Sequence, residues 1–162
     1  MAEVVIAIGS NLGDRLNYIR QSAEFLEKIS STFIRKSSIW ESEPVGPAEF
    51  QFYNSVAVIS TDLPAVKLLE LLKTFEQKIG REANPIKWAP RIVDLDIISY
   101  NSLVIQTDSL IIPHPEYQQR LFVLLPLREL FPSWSDLSSG KGIEQIIEEA
   151  PEIMIRKTDL TW

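Results

Sequence analysis

The chain has no cysteine, so disulfide frameworks and thiolate metal sites are excluded. It has one histidine, His114, which stands between two prolines. It lacks an excess of positive charge. With 16 Lys and Arg against 22 Asp and Glu, the net charge is −6, which argues against general nucleic-acid binding. Local basic clusters can still receive a small anion. No apolar run approaches membrane-spanning length, and Met1-Ala2-Glu3-Val4-Val5-Ile6 has no basic leader region. A cytoplasmic protein is expected. Glycine is sparse, with six in 162 residues. Two of them frame Gly9-Ser10-Asn11-Leu12-Gly13-Asp14, which lacks the Gly-Lys-Ser/Thr ending of a P-loop and reads as a tight strand-to-helix turn.

What is present centres on Arg91-Ile92-Val93-Asp94-Leu95-Asp96-Ile97-Ile98. Its β-branched residues predict a strand, followed by a turn at Asn101-Ser102. Alternation puts Val93, Leu95 and Ile97 on one face and Ile92, Asp94, Asp96 and Ile98 on the other. Carboxylates two residues apart lie about 6.5–7 Å from one another. At an effective dielectric of about 20 they repel by roughly 2 kcal/mol. Two readings stay open on this stretch alone: an edge strand with both aspartates in water, or a site for a divalent cation. Oxygen ligands of this kind suit Mg²⁺ held by one or two carboxylates plus substrate phosphates.

The rest of the chain supplies the frame. Glu3–Ile8 reads as a strand, and Leu16, Ile19, Ala23, Leu26 and Ile29 as the apolar stripe of a helix with Asp14 as N-cap. Thr32–Glu41 and Phe52–Ser60 read as strands around a loop at Pro44, Gly46 and Pro47. Thr61-Asp62-Leu63-Pro64 starts a second helix, which is expected to stop at Gly80. Residues 81–90 read as a loop carrying Arg81, Lys87 and Trp88, with Arg91 just beyond it. After the aspartate strand come a short strand at Leu103–Ile105, a rigid bend at Pro113-His114-Pro115 and a helix at 121–130 interrupted by Pro126. A helix at 143–150 and a last strand at 153–157 follow. The expected class is α+β: a ferredoxin-like βαββαβ core on a mainly antiparallel sheet, with additional C-terminal strands and short helices. One domain spanning 1–162 is expected, with no second catalytic domain. Paired carboxylates with arginines nearby suit phosphoryl transfer, in which cations neutralise oxygens and hold attacking and leaving groups in line.

Lys87-Trp88-Ala89-Pro90-Arg91-Ile92-Val93-Asp94-Leu95-Asp96-Ile97 resembles the signature of the 6-hydroxymethyl-7,8-dihydropterin pyrophosphokinase family. Gly9–Asp14, Glu43-Pro44-Val45-Gly46, Phe52-Tyr53-Asn54, Gly80-Arg81, and Pro113-His114-Pro115 with Arg120 and Phe122 resemble further family segments in order. The resemblance implies transfer of the β,γ-pyrophosphoryl group of ATP to a pterin hydroxymethyl oxygen, with release of AMP. It implies two Mg²⁺ ions on Asp94 and Asp96, with Asp96 or its metal helping deprotonation. Arg81, Lys87, Arg91, His114, Arg120, Glu76 and Ile97 are the implied ATP contacts, and Arg81 and Arg91 the implied catalytic cations. Ser42, Pro44, Val45, Phe52, Asn54, Trp88 and Phe122 are the implied pterin contacts, the two phenylalanines stacking on the ring. Ala83 and Ser109 stand where some members have arginine, and Phe52 where some have tyrosine. Only small-molecule partners and a monomer are expected. A non-catalytic relative or another Mg²⁺-dependent transferase are the competing readings. The intact Asp94, Asp96 and Arg91 speak against the first, and Asn54 with its flanking aromatics against the second.

Overall fold

The computed structural model describes residues 1–43, 51–83 and 92–162, the side chains of 81–83 excepted. Nine residues of alternating register, Ala2–Ser10, form β1. Asp14 then caps α1 (Arg15–Ile29), its carboxylate accepting from the Asn17 amide at 3.2 Å. The predicted strand over 32–41 is instead two pieces, β2 (Arg35–Lys36) and β3 (Trp40–Ser42), both paired with β4 (Phe52–Thr61). Lys36 lies opposite Ala57 and Trp40 opposite Asn54, so four steps on one side match three on the other. That extra residue is a bulge. Ser37 sits at it, and its hydroxyl accepts from the Val56 amide at 2.9 Å, replacing a backbone partner.

The second helix, α2 (Ala65–Ala83), runs through Gly80 rather than stopping there. Among the described glycines only Gly13 and Gly140 have positive φ, so Gly80 is not a left-handed cap. β5 (Asp94–Tyr100) completes the βαββαβ core. Ile92 precedes that strand and packs with Val93 in the core beneath it, not on the aspartate face. Asn101 makes the expected turn at φ 48°, with the Leu103 amide donating to the Tyr100 carbonyl at 3.0 Å. Leu103 and Val104 are exposed there and unpaired as strand. The hairpin partner is later: β6 (Ile105–Gln106) pairs β7 (Ile111–Ile112) as a separate two-stranded sheet. A 3₁₀ turn at Tyr117–Gln119, α3 (Leu121–Leu130), α4 (Ile143–Glu149) and β8 (Ile155–Lys157) follow. Pro126 does not break α3. It is buried, and its missing N–H leaves the Phe122 carbonyl without its helical donor.

The main sheet has the order β5-β1-β4-β3-β8, with β2 also on β4, and every pairing is antiparallel. Each face carries its own core. Ile6, Ile8, Leu95 and Ile97 pack against Ile19, Leu26, Leu68 and Leu72 of α1 and α2, which are joined by stacked Phe25 and Phe75 rings 4.3 Å apart. Val5, Val56, Val58 and Ile98 pack against Val123, Leu124 and Leu127 of α3 and Ile143 and Ile146 of α4. The result is a three-layer α+β fold with β5 as an edge strand. Among the described residues, no helix is long and apolar enough to cross a membrane.

Candidate active site

Among the described residues, the α3 face of the sheet is not covered along its whole length. A cavity of about 510 Å³ opens where α3 begins, and the sheet is its floor. Asn54 of β4, Gly9 of β1 and Asp94 of β5 are direct register partners, so they form one row across three strands. Ala7 and Asp96 pair in the next row on this face. Adjacent strands lie about 4.8 Å apart, so Asp94 and Asn54 are roughly 10 Å from each other across the floor. Gly9 keeps the floor between them flat. A Cβ there would stand 3.4 Å from Asn54 Oδ1 and 4.0 Å from the Phe52 ring.

Buried Asn54 is oriented by its own bond. Its Nδ2 donates to the Ser42 Oγ at 2.7 Å, which turns Oδ1 toward Gly9. Phe52, Phe122, Pro151 and Ile153 give the cavity apolar walls, while Glu116 and Arg120 stand among its polar ones. Arg120 donates to Glu116 and lies 5.7 Å from the centroid of the Phe122 ring. Asp94 and Asp96 are both partly exposed on the floor, as two-residue spacing requires. Among the described residues, no third Asp, Glu, His or Cys joins them as a metal-holding group. Two carboxylates that line a cavity fit Mg²⁺, which takes its remaining ligands from water and phosphate.

Four predicted residues do not line the cavity, one of them Ser42, which reaches it only through Asn54. Ile97 points its side chain into the α1/α2 core, which leaves only its main chain for a ligand. Glu76 sits behind the open edge of β5, where its carboxylate accepts from the Leu95 amide at 2.6 Å. Burial pushes the Glu76 carboxyl above its ordinary range, and the Leu95 amide and Lys73 pull it partly back. His114 does not line the cavity. Its amide donates to the Ile98 carbonyl at 3.0 Å, and its Nδ1 accepts from the Glu116 amide at 3.1 Å. Burial lowers the imidazole pKa, against a raising influence from Asp96. With Nδ1 accepting, the neutral form of the ring carries its proton on Nε2. Pro44, Val45, Lys87, Trp88, Arg91 and the Arg81 side chain lie outside the described residues.

Sequence reasoning missed Pro151 and Ile153, which follow a helix far from the signature and carry no motif. It also missed Lys73, whose ammonium lies 3.1 Å from Glu76 and 3.9 Å from Asp96. The Lys73-Glu76 spacing alone reads as an ordinary helix-surface pair.

A ferredoxin-like sheet bearing two adjacent carboxylates beside an aromatic, amide-edged cavity defines the class: an α+β protein with a candidate small-molecule site on one face of its sheet. The comparisons agree with that class. The profile of the 7,8-dihydro-6-hydroxymethylpterin-pyrophosphokinase (HPPK) family matches residues 5–132. A 2-amino-4-hydroxy-6-hydroxymethyldihydropteridine pyrophosphokinase of Bacillus subtilis is 44% identical over 127 residues, 77% of this chain and 75% of that protein. A Synechocystis protein of the same description is 36% identical over 146 residues, 90% of this chain and 74% of that protein. In structure, the chain superposes on a wild-type Plasmodium falciparum HPPK-DHPS with a TM-score of 0.68 at 15% identity. The match covers 92% of this chain but only 43% of that longer one, and it speaks for the fold. This chain belongs to the 7,8-dihydro-6-hydroxymethylpterin-pyrophosphokinase family.

Proposed function

We propose that this chain is an ATP- and Mg²⁺-dependent pyrophosphokinase of folate synthesis. It moves the β,γ-pyrophosphoryl group of ATP onto the hydroxymethyl oxygen of 6-hydroxymethyl-7,8-dihydropterin and releases AMP. The bond between the hydroxymethyl oxygen and the β-phosphorus forms. The bond from that phosphorus to the α,β-bridging oxygen breaks, and the hydroxyl proton is lost. The observation that carries this reading is the row Asn54–Gly9–Asp94, which sets an amide acceptor and the carboxylate pair at opposite ends of one flat floor. A bicyclic ring with a one-carbon arm spans that distance.

In this reading the pterin lies over Gly9 with its amino edge toward Asn54 Oδ1, stacked by Phe52 and Phe122. Ser42 holds Asn54 in that orientation. Pro44 and Val45 are assigned to pterin binding, and Trp88 to excluding water from the reacting phosphorus. Asp94 and Asp96 hold two Mg²⁺ ions, which when bound neutralise phosphate oxygens and acidify the attacking hydroxyl. Asp96, or the metal it would hold, helps deprotonate the hydroxymethyl group. Arg81, Lys87, Arg91 and Arg120 clamp the triphosphate. His114 Nε2–H donates to a phosphate oxygen, while Glu76 and the Ile97 main chain shape the nucleotide end. Residues 1–162 act as one domain, a cytoplasmic monomer with only small-molecule partners.

The test is product analysis with ATP and Mg²⁺, with and without the pterin. Pterin-dependent AMP from the wild type, lost in Asp94→Ala, is the expected result. ADP in its place overturns the reading, as does AMP formation that ignores the pterin.

A further inference from the structure

Lys73 belongs to α2, which packs on the face of the sheet opposite the cavity. Its ammonium nevertheless reaches round the open edge of β5. It donates to the Leu95 carbonyl at 3.5 Å and to Glu76 Oε1 at 3.1 Å, and it stands 3.9 Å from Asp96 Oδ1. Glu76 in turn takes the Leu95 amide. The residue between the two aspartates therefore has both its outward backbone groups held by α2. An exposed i,i+3 pair on a helix does none of this. The Glu76 side chain is only 7% exposed, which fixes the ammonium beside Asp96.

From this geometry we infer that Lys73 is a resident counter-cation of Asp96, holding that carboxylate until a divalent ion arrives and setting the affinity for that ion. The inference rests on the metal reading above. Coulomb energy falls with distance, so the attraction at 3.9 Å outweighs the repulsion between carboxylates about 6.5–7 Å apart. A bare divalent cation entering at Asp96 meets the ammonium as a like charge. A metal already bound to a triphosphate carries net negative charge and does not. Lys73 therefore favours the metal–nucleotide complex over the free ion. It acts through Asp96 and is a positioning residue, not a catalytic one.

The experiment is Mn²⁺ binding to the full chain, read by electron paramagnetic resonance without nucleotide, on wild type, Lys73→Met, Lys73→Arg and Asp96→Asn. Lys73→Met keeps much of the apolar stem and loses the charge. It is expected to bind bare Mn²⁺ about threefold to tenfold tighter, a modest gain because both groups are about one-third exposed. Lys73→Arg restores the charge and is expected to match the wild type. Equal or weaker Mn²⁺ binding in Lys73→Met overturns the proposal, as does Lys73→Arg behaving like Lys73→Met. Asp96→Asn separates the two levels. If it binds Mn²⁺ as the wild type does, the metal reading itself fails. If it loses Mn²⁺ while Lys73→Met shows no gain, only the role of Lys73 fails.

Discussion

At the scale of single residues, the site depends on what faces the floor. Asn54 is buried with one bond to Ser42 and one acceptor turned to Gly9. Asn54→Ala removes that acceptor and strands the Ser42 hydroxyl. A lost hydrogen bond of about 1.5–3 kcal/mol corresponds to roughly tenfold or more in affinity. The pterin KM should rise by that factor while the ATP KM stays near wild type, which two-substrate kinetics resolves. Gly9→Ala makes the complementary case. The new methyl intrudes on the floor without a positive-φ penalty, so pterin KM should rise several-fold with the melting temperature little changed. A large loss of melting temperature would instead make Gly9 a folding residue.

A second residue-scale case lies under α3. Tyr117 donates to Asp136 at 2.6 Å, and Asp136 also accepts from the amides of Ser138 and Ser139. Burial works to raise the Asp136 carboxyl, but the bonds from Tyr117, Ser139 and Ser138 outweigh it and hold the group below its ordinary 3.8. Its folded pKa is depressed, so its contribution to stability is present above 3.8 and is lost as pH falls through the folded value. Tyr117→Phe should cost about 1–3 kcal/mol at neutral pH, a drop of several degrees in melting temperature. The deficit should shrink in strong acid, where Asp136 is protonated in both proteins. A deficit of constant size down to low pH would count against the charge-assisted bond.

At the scale of elements, the aspartate strand was legible because alternation is rigid: Asp94 and Asp96 had to share a face, and they do. Four misreadings have identifiable causes, three local and one not. The break at Ser37 depends on a side chain replacing a backbone partner, which no period shows. α2 passes Gly80 because glycine permits a left-handed cap without requiring one. Pro126 sits in α3 because only its partner carbonyl, Phe122, is left undonated. The turn at Asn101 was readable, whereas the true strand partner of Ile105 lies at Ile112 and depends on the returning chain. Site residues followed the same division. Asn54, Phe52 and Phe122 come from recognisable segments. Lys73 enters from behind the sheet, and Pro151 and Ile153 come from beyond the residues that the family profile matches.

The edge of β5 yields an element-scale prediction in pH. The Glu76 carboxyl is raised above 4.5 by burial, so the folded state binds more protons than the unfolded state just above that value. Stability should therefore fall as pH rises from 4.5 through the folded pKa of Glu76. Glu76→Gln keeps an acceptor for the Leu95 amide and cannot ionise. Denaturant titrations run upward from pH 4.5 should show the wild-type decline flattened in the variant. An identical slope in both proteins would mean that Glu76 does not titrate in this window.

At the scale of the whole molecule, the proposed function makes the sheet a ruler running from metal to pterin. β5 carries the carboxylates, β1 the open glycine, β4 the amide, and β3 the serine that orients it. β8 then closes the far side: Ser42 is in register with Ile155, and Glu43 exchanges two backbone-directed bonds with Met154 at 2.9 and 2.8 Å. Ligands at the two ends thus stabilise different strands of one cooperative sheet. At 100 times its dissociation constant a ligand adds about 2.7 kcal/mol, worth roughly 5–10 °C in a domain of this size. In the wild type, both the pterin and a non-hydrolysable ATP analogue with Mg²⁺ should raise the melting temperature. Asp94→Ala should lose the nucleotide shift and keep the pterin shift, and Asn54→Ala should do the reverse. Loss of both shifts in either variant would mean that the ends of the floor do not bind separately, and that the row Asn54–Gly9–Asp94 is one indivisible site.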